Sequence, residues 1–416
     1  MAAPERAVAS TPLAPLGPGM AALTLALLLG LQPIATDLVL PALPALATDL
    51  NASMPTVQLT MSALILAFGL AQLVWGPVAD RVGRRPVLLA ALALFALATV
   101  GATLANQVAQ VVGWRVAQGA SLAAVVVCGR AMVRDLYEPV EGAMVMARAL
   151  GGLGLIAISS PVLGGLLVAT WGWRASLAAM GVIAAIVGLF VFWRVPESRR
   201  PPPVTTSFPA PLWRQAGAVL RHPGFRAWTL LVACSYGGIF TFLAASGFVL
   251  IGQLGLSPAA AGLWMATPST AYIVGTLICR RWIPVLGLAS AARRASWFSL
   301  AAALGMLLTA IFEWNHAPLV MAPMWLYGLG HGVINPCGQT GAMAAFPRAA
   351  GLAAAMSGFM AAAAAFAIGL WLGQALDPGA GQVMRVFAAT IAACALAVFA
   401  LAHTLVHRDG GRLQAG

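Results

Sequence analysis

"VWGPVADRVGRRPVL", residues 74–88, sets Asp80, Arg81, Arg84 and Arg85 within six positions of a chain in which only 8% of residues are charged. The sequence on either side is apolar, roughly over residues 57–79 and 86–105. Each run reaches the length of about 20 residues that carries an α-helix across a bilayer. A charged loop between two such runs is the turn of a helical hairpin in lipid. The rest of the chain repeats the arrangement. Its 416 residues are 61% hydrophobic, against about 45–50% in a soluble domain. Helices satisfy their own backbone hydrogen bonds in hydrocarbon, and no period-two alternation marks a β-barrel.

Working outward from the loop, we read an all-α integral membrane fold of twelve transmembrane helices. They fall at about 20–44, 57–79, 86–105, 110–132, 143–168, 174–193, 226–250, 259–279, 295–313, 318–341, 351–374 and 384–406. An even number of spans puts both termini on one side. That side receives Arg81, Arg84, Arg85, Arg130, Arg134, the stretch from Arg194 to Arg226, Arg280, Arg281, Arg293, Arg294, Arg348 and Arg408. The opposite loops hold Arg174 and Arg385 beside Asp49, Glu313 and Asp377. By the positive-inside rule both termini are expected in the cytoplasm. The apolar run after residue 19 is too long for the core of a signal peptide and is expected to remain as a helix.

The longest polar stretch divides the spans into six and six. The expected organisation is an N-terminal tail at 1–19, a first six-helix half at 20–193 and a linker at 194–225. A second half at 226–406 and a tail at 407–416 complete it. Within the linker, "LWRQAGAVLR" reads as a short basic helix on the membrane surface. The halves carry one trace of duplication: Gly76, Asp80 and Arg81 end the second span as Gly275, Cys279 and Arg280 end the eighth. Repeated halves around a midplane site are a common plan of secondary transporters.

Composition also excludes functions. The net charge of +12 is all arginine and follows the topology; no arginine cluster is interleaved with stacking aromatics on a soluble domain, so no nucleic-acid partner is expected. A chain without lysine cannot complete G-x-x-x-x-G-K-[ST], which leaves a gradient as the energy source. Cys128, Cys234, Cys279, Cys337 and Cys394 lie in apolar segments without metal-ligand spacing, and are expected as packing residues without disulfide or metal. No catalytic constellation of His, Asp or Ser marks an enzyme, and no cofactor is called for.

Within the loop, Gly76 is expected to admit a neighbouring helix and Gly83 to permit a tight turn. Asp80 is placed to be held by an arginine or a helix N-terminus, which makes the cluster a clasp that one conformation forms and another breaks. Asp37 is the one carboxylate well inside a span, where insertion costs about 2.5–3.5 kcal/mol. Counting about 1.5 Å per residue, Asp37 and Arg115 share a depth near 10 Å below the outer surface, close enough to meet. Interfacial placement of Asp37 and snorkelling of Arg115 remain the alternatives. Arg148 reads as snorkelling or pairing with Asp135 or Glu138, and Arg130, Arg134 and Asp135 as fixing the inner end of the fourth span. His331 and Asn335 are one turn apart, either packed with a satisfied imidazole or facing a cavity. Tyr236 and Phe240, at i and i+4, read as packing or cavity aromatics. Gln32 and Gln118 leave room for hydrogen bonds to a ligand.

"GPVADRVGRRP" resembles the G-x-x-x-D-R-x-G-R-R loop of the major facilitator superfamily. With "TDLVLPALP" (36–44), "WRVAQGASLAAVVVCGRAMVRDLY" (114–137), "SPVLGGLL" (160–167), "WGWR" (171–174) and "YGLGHGVINP" (327–336), the chain resembles that superfamily's Bcr/CflA drug/proton antiporters across essentially all spans. The resemblance implies two halves around a central cavity and a cytoplasmic gate at Gly76, Asp80, Arg81, Gly83, Arg84 and Arg85 that stabilises the outward-facing state. It implies proton coupling through Asp37 and Arg115, and an antiporter motif at Pro161, Gly164 and Gly165, with Ser160 where glycine is commoner. Gln118, Tyr236, Phe240, His331 and Asn335 are the expected cavity residues. The implied activity is proton-driven efflux of small, largely apolar drugs across a bacterial inner membrane by a monomer. Proton-coupled transport of a sugar, amino acid or siderophore-like metabolite is the alternative. Leu28 and Leu29 stand where related multidrug carriers have a second acid.

Overall fold

The structure, a computed structural model, describes residues 16–198, 212–376, 382–404 and 406. The tail before residue 16, the linker between 199 and 211, Asp377 and the tail beyond 406 lie outside the described residues. The first half comprises α1 (Pro18–Asp37), a 3-10 turn (Leu40–Ala42), α2 (Leu43–Asp49), α3 (Met54–Val82), α4 (Arg84–Thr103), α5 (Val108–Leu136), α6 (Pro139–Trp171) and α7 (Trp173–Arg194). After the linker come α8 (Leu212–Arg221) and the second half: α9 (Pro223–Gly247), α10 (Pro258–Ile311), α11 (Ala317–Ala344), α12 (Ala350–Ala375) and α13 (Val383–His403).

These elements make twelve spans, because two of them depart from one helix per crossing. α1, its 3-10 turn and α2 form a single broken crossing. Pro41 and Pro44 have no N–H to donate to the carbonyls of Asp37 and Leu40, so the helix stops at Asp37 and restarts. α10 runs for 54 residues, about 80 Å at helical rise, more than twice the hydrocarbon thickness of about 30 Å. It is two crossings joined at Gly287, whose φ of 71° and ψ of 170° leave the helical region. A loop was expected at 280–294; a single glycine makes the turn instead, and helix continues on both sides of it. Other helices overrun the expected spans by several residues, since hydropathy marks only the length in lipid and hydrogen bonding carries the helix beyond it.

The chain is thus a multi-pass membrane protein whose two halves share a burial pattern. The first, fourth, seventh and tenth spans are 67–78% buried over their most apolar stretches, and the other helices, with the two crossings of α10 taken together, 28–50%. The recurrence at the same step of each half agrees with the duplicated plan. Peripheral spans turn leucine, valine and tryptophan outward, Leu97, Val285 and Trp193 among them, as expected where lipid is the solvent. α8 is strongly amphipathic and is tied to α9 at His222, whose backbone N–H reaches the Val219 carbonyl at 3.2 Å. Its Nδ1 accepts from the Phe225 N–H at 3.3 Å.

We call the side on which both ends of the described chain lie the arginine-rich face. At the opposite, arginine-poor face the halves meet through glycines. A Cβ on Gly165 would overlap the Pro258 carbonyl, one on Gly262 the Pro161 carbonyl, and one on Gly373 would approach Pro55 Cα to 2.7 Å. Gln58 Nε2 donates across the same seam to the Ala244 carbonyl at 2.9 Å. The ion pairs described at this face each stay within one half: Arg174 with Asp49 at 2.7 Å and Arg385 with Glu313 at 3.0 Å.

Candidate functional site

A cavity of about 660 Å³ lies between the halves. The first half lines it from the end of α1 (Gln32, Thr36 and Asp37) and from a stripe of small residues on α6 (Ala147, Gly151, Gly154, Ala157). The second half contributes Tyr236 on α9, His331 and Pro336 on α11, and a long face of α10. Those α10 residues reach from Met265 to Ile283, toward the arginine-rich face, while α6 and α10 close against each other at Gly165 and Gly262. The conformation is therefore open at the arginine-rich face and shut at the other.

Asp37 is the one carboxylate among the lining residues. It ends α1 at the proline-induced break, and its Oδ1 accepts from Thr36 Oγ1 at 2.6 Å. Arg115 shares its depth but does not meet it. Arg115 is 1% exposed, and its guanidinium points into the first half. It donates to the carbonyls of Ala35 (2.8 Å) and Thr60 (3.2 Å), to Gln118 Oε1 (3.1 Å), and toward Met61 Sδ at 3.3 Å. No ion pair joins it to Asp37 among the described residues. At about 3.6 residues per turn, two positions along α1 turn the chain through more than half a circle. Arg115 grasps the helix from behind at Ala35 while Asp37 faces the cavity.

The expected cavity set divides. Tyr236 and His331 line it, and His331 Nδ1 shares a hydrogen bond of 2.8 Å with Ser235 Oγ, so the imidazole is both satisfied and cavity-facing. Gln118 does not reach the cavity: it is fully buried between Arg115 and Thr99 Oγ1, to which its Nε2 donates at 2.8 Å. Phe240 is likewise fully buried in the core, where its ring packs near Gly369; one turn from Tyr236 it has rotated away from the opening. Asn335 is outside the lining and reaches the Tyr272 hydroxyl. Sequence reasoning missed the α10 face. Its signal was present: Met265, Ser269, Tyr272, Thr276 and Arg280 recur at three and four residues and put a polar stripe on an apolar helix.

The charged loop is built from the first half and the start of the linker. Arg84, 6% exposed, pairs through Nη2 with Asp80 and through Nε with Asp135 at 3.1 Å. Asp135 is thereby held by Arg84, not by Arg148, which is exposed. The N-terminus of α4 is occupied by Glu197, whose carboxylate accepts from the backbone N–H groups of Arg84 (2.9 Å) and Arg85 (3.1 Å). Arg85 turns to the Phe192 carbonyl at 2.7 Å, and Arg81 is exposed. Gly83 has the expected turn, with φ of 117°. In this conformation no helix packs at Gly76, where nothing lies within 4 Å of a Cβ position. At its counterpart Gly275 one does, against the Leu329 carbonyl. Pro161, Gly164 and Gly165 form a packing surface, in which a Cβ on Gly164 would overlap the Leu38 carbonyl.

Twelve spans in two similar halves, with a cavity between them that is open at one face and shut by close packing at the other, define a membrane transporter. The description Major Facilitator Superfamily matches residues 25–370. The chain belongs to that superfamily. It is 30% identical over 329 residues to a chloramphenicol resistance protein of Pseudomonas aeruginosa, covering 78% of this chain and 77% of the relative. Multidrug resistance protein D of Escherichia coli strain K12 is 30% identical over 338 residues, 81% of this chain and 84% of the relative. The fold matches a bacterial homologue of the human lysosomal transporter Spinster, crystallised inward-facing and unoccupied, with a TM-score of 0.74 at 14% identity over 96% of this chain and 98% of that one.

Proposed function

We propose that the chain exports small, largely apolar drugs from the cytoplasm of a bacterial cell in exchange for protons. The observation that carries this reading is the cavity: mostly aliphatic and aromatic walls around one carboxylate, Asp37. The resistance-protein names of its relatives support it. The protein sits in the inner membrane with both termini and the arginine-rich face in the cytoplasm, and a monomer suffices because one chain lines the whole cavity. The structure described is then the state that loads drug from inside.

Asp37 takes a proton when the cavity faces outward and gives it up inside, where drug entry favours the release. Arg115 is a positioning residue in this scheme. By fixing the Ala35 carbonyl two residues before Asp37, it sets where the carboxylate stands, without pairing with it. Asp80, Arg81, Arg84 and Arg85 form the cytoplasmic gate, with Gly83 as its turn, and Pro161, Gly164 and Gly165 form the packing surface over which the halves rock. A pH unit supplies about 1.4 kcal/mol and 100 mV about 2.3 kcal/mol per charge, enough to concentrate a drug outward through one carboxylate. The test is drug-induced proton movement in proteoliposomes. Release of protons on adding drug to wild-type protein, absent in Asp37→Asn, is expected; drug transport that moves no proton overturns the scheme.

A further inference from the structure

Cys279 on α10 and Cys337 on α11 stand 58 residues apart in sequence with their sulfurs 3.9 Å apart. Both are free thiols and both are buried, at 2% and 0% exposure. They meet because glycines remove the side chains between the two backbones. A Cβ on Gly275 would overlap the Leu329 carbonyl, one on Gly332 the Tyr272 carbonyl, and one on Gly328 would come within 2.8 Å of the Pro268 carbonyl. Cys279 belongs to the cavity wall, and Cys337 lies directly behind it. Besides each other, the Cys279 sulfur has the Val333 carbonyl at 3.7 Å. Thiol hydrogen bonds are weak, so nothing strong competes for either sulfur.

The geometry points to a dithiol site, entered from the cavity, for a trivalent arsenical bearing an aryl group. Two adjacent sulfurs are soft ligands suited to a soft, thiophilic centre, and the ring has apolar cavity beside Tyr272 to occupy. Capture balances without a further reagent: R–As=O plus two thiols gives arsenic bonded to both sulfurs plus one water. Two As–S bonds form, the As–O bond and two S–H bonds break, the thiol protons leave with the oxygen as water, and nothing is oxidised or reduced. The adduct straps α10 to α11 and places the ring where a drug would sit. This site stands apart from the proton-coupling reading and does not require it.

The experiment treats the purified full-length protein in lipid nanodiscs with phenylarsine oxide, removes free reagent by gel filtration in the presence of excess glutathione, and weighs the intact chain. One phenylarsenic group per wild-type chain is expected to survive the monothiol wash and to be stripped by 2,3-dimercaptopropanol. Cys279→Ser and Cys337→Ser are each expected to lose it. The variant carrying Cys128→Ser, Cys234→Ser and Cys394→Ser is expected to keep it. Wild-type protein that retains no arsenic overturns the proposal, as does undiminished retention in either single variant. Should a serine variant fail to give monodisperse protein, the corresponding alanine variant and peptide mapping of the wild-type adduct decide. Arsenic mapped to any cysteines other than 279 and 337 overturns the site.

Discussion

In the proposed scheme, Asp37 is where residue chemistry and transport meet. Asparagine matches its shape but carries no proton, so Asp37→Asn is expected to abolish proton-coupled export while the protein still inserts. Resistance assays in a pump-deficient strain check this, and full resistance at normal expression would remove Asp37 from the scheme. Arg115 makes a different prediction now that its partners are known. Its planar fork reaches two carbonyls and an amide oxygen in different directions, whereas a lysine ammonium keeps the charge without the fork. Each charge-assisted bond lost costs about 1.5–3 kcal/mol. Arg115→Lys is expected to give a folded carrier with reduced turnover and little change in drug affinity, read as a split between kcat and KM. Asp37 was legible from the sequence because one carboxylate in hydrocarbon is conspicuous. Its relation to Arg115 was not. Helical rise gives depth, but direction around the axis depends on how neighbouring helices are turned, and two groups at one depth proved to face opposite ways.

At the level of elements, the seam between α6 and α10 is the part most open to perturbation. A side chain at Gly165 must displace the Pro258 backbone of the other half, and overpacking of this kind costs about 1–3 kcal/mol. Gly165→Val is therefore expected to favour the state open at the arginine-poor face by about 5–150-fold, measured by cysteine accessibility on the two faces. Gly76→Ala, with open space around it, is expected to change neither accessibility nor transport. Asp80 is largely exposed, and its loss removes one arm of a network that retains Asp135 on Arg84 and Glu197 on the α4 backbone. Exposed pairs contribute about 0–1 kcal/mol. Asp80→Asn should leave folding and drug binding intact while slowing turnover; unchanged labelling in a transport-dead variant would exclude a gating role. The charge pattern located this loop in the sequence. Glu197 escaped notice because it lies 113 positions away from the Arg84 amide it caps. The turn at Gly287 escaped for the opposite reason: polar residues around it read as a loop, although helix can continue through them once out of lipid.

For the whole molecule, antiport requires that proton and drug weaken each other's binding. By linkage the effect is reciprocal, so apparent drug affinity is expected to fall as pH falls across the titration of Asp37, and Asp37→Asn should flatten the dependence. Isothermal binding from about pH 3 to 8, which takes in the ordinary aspartate and imidazole ranges, checks this, and wild-type affinity independent of pH would separate proton from substrate. The arrangement at the arginine-poor face has a further consequence. Its described ion pairs, Arg174 with Asp49 and Arg385 with Glu313, each lie inside one half, so they move with their halves and are neither broken nor made when the seam parts. What closes the seam is backbone laid against glycine and a buried amide bond. Ionic strength screens exposed charges over about 8–10 Å at physiological levels but leaves such contacts untouched. In the orientation proposed above this face meets the external medium, the compartment whose salt a cell controls least, and its closure is one that salt does not loosen.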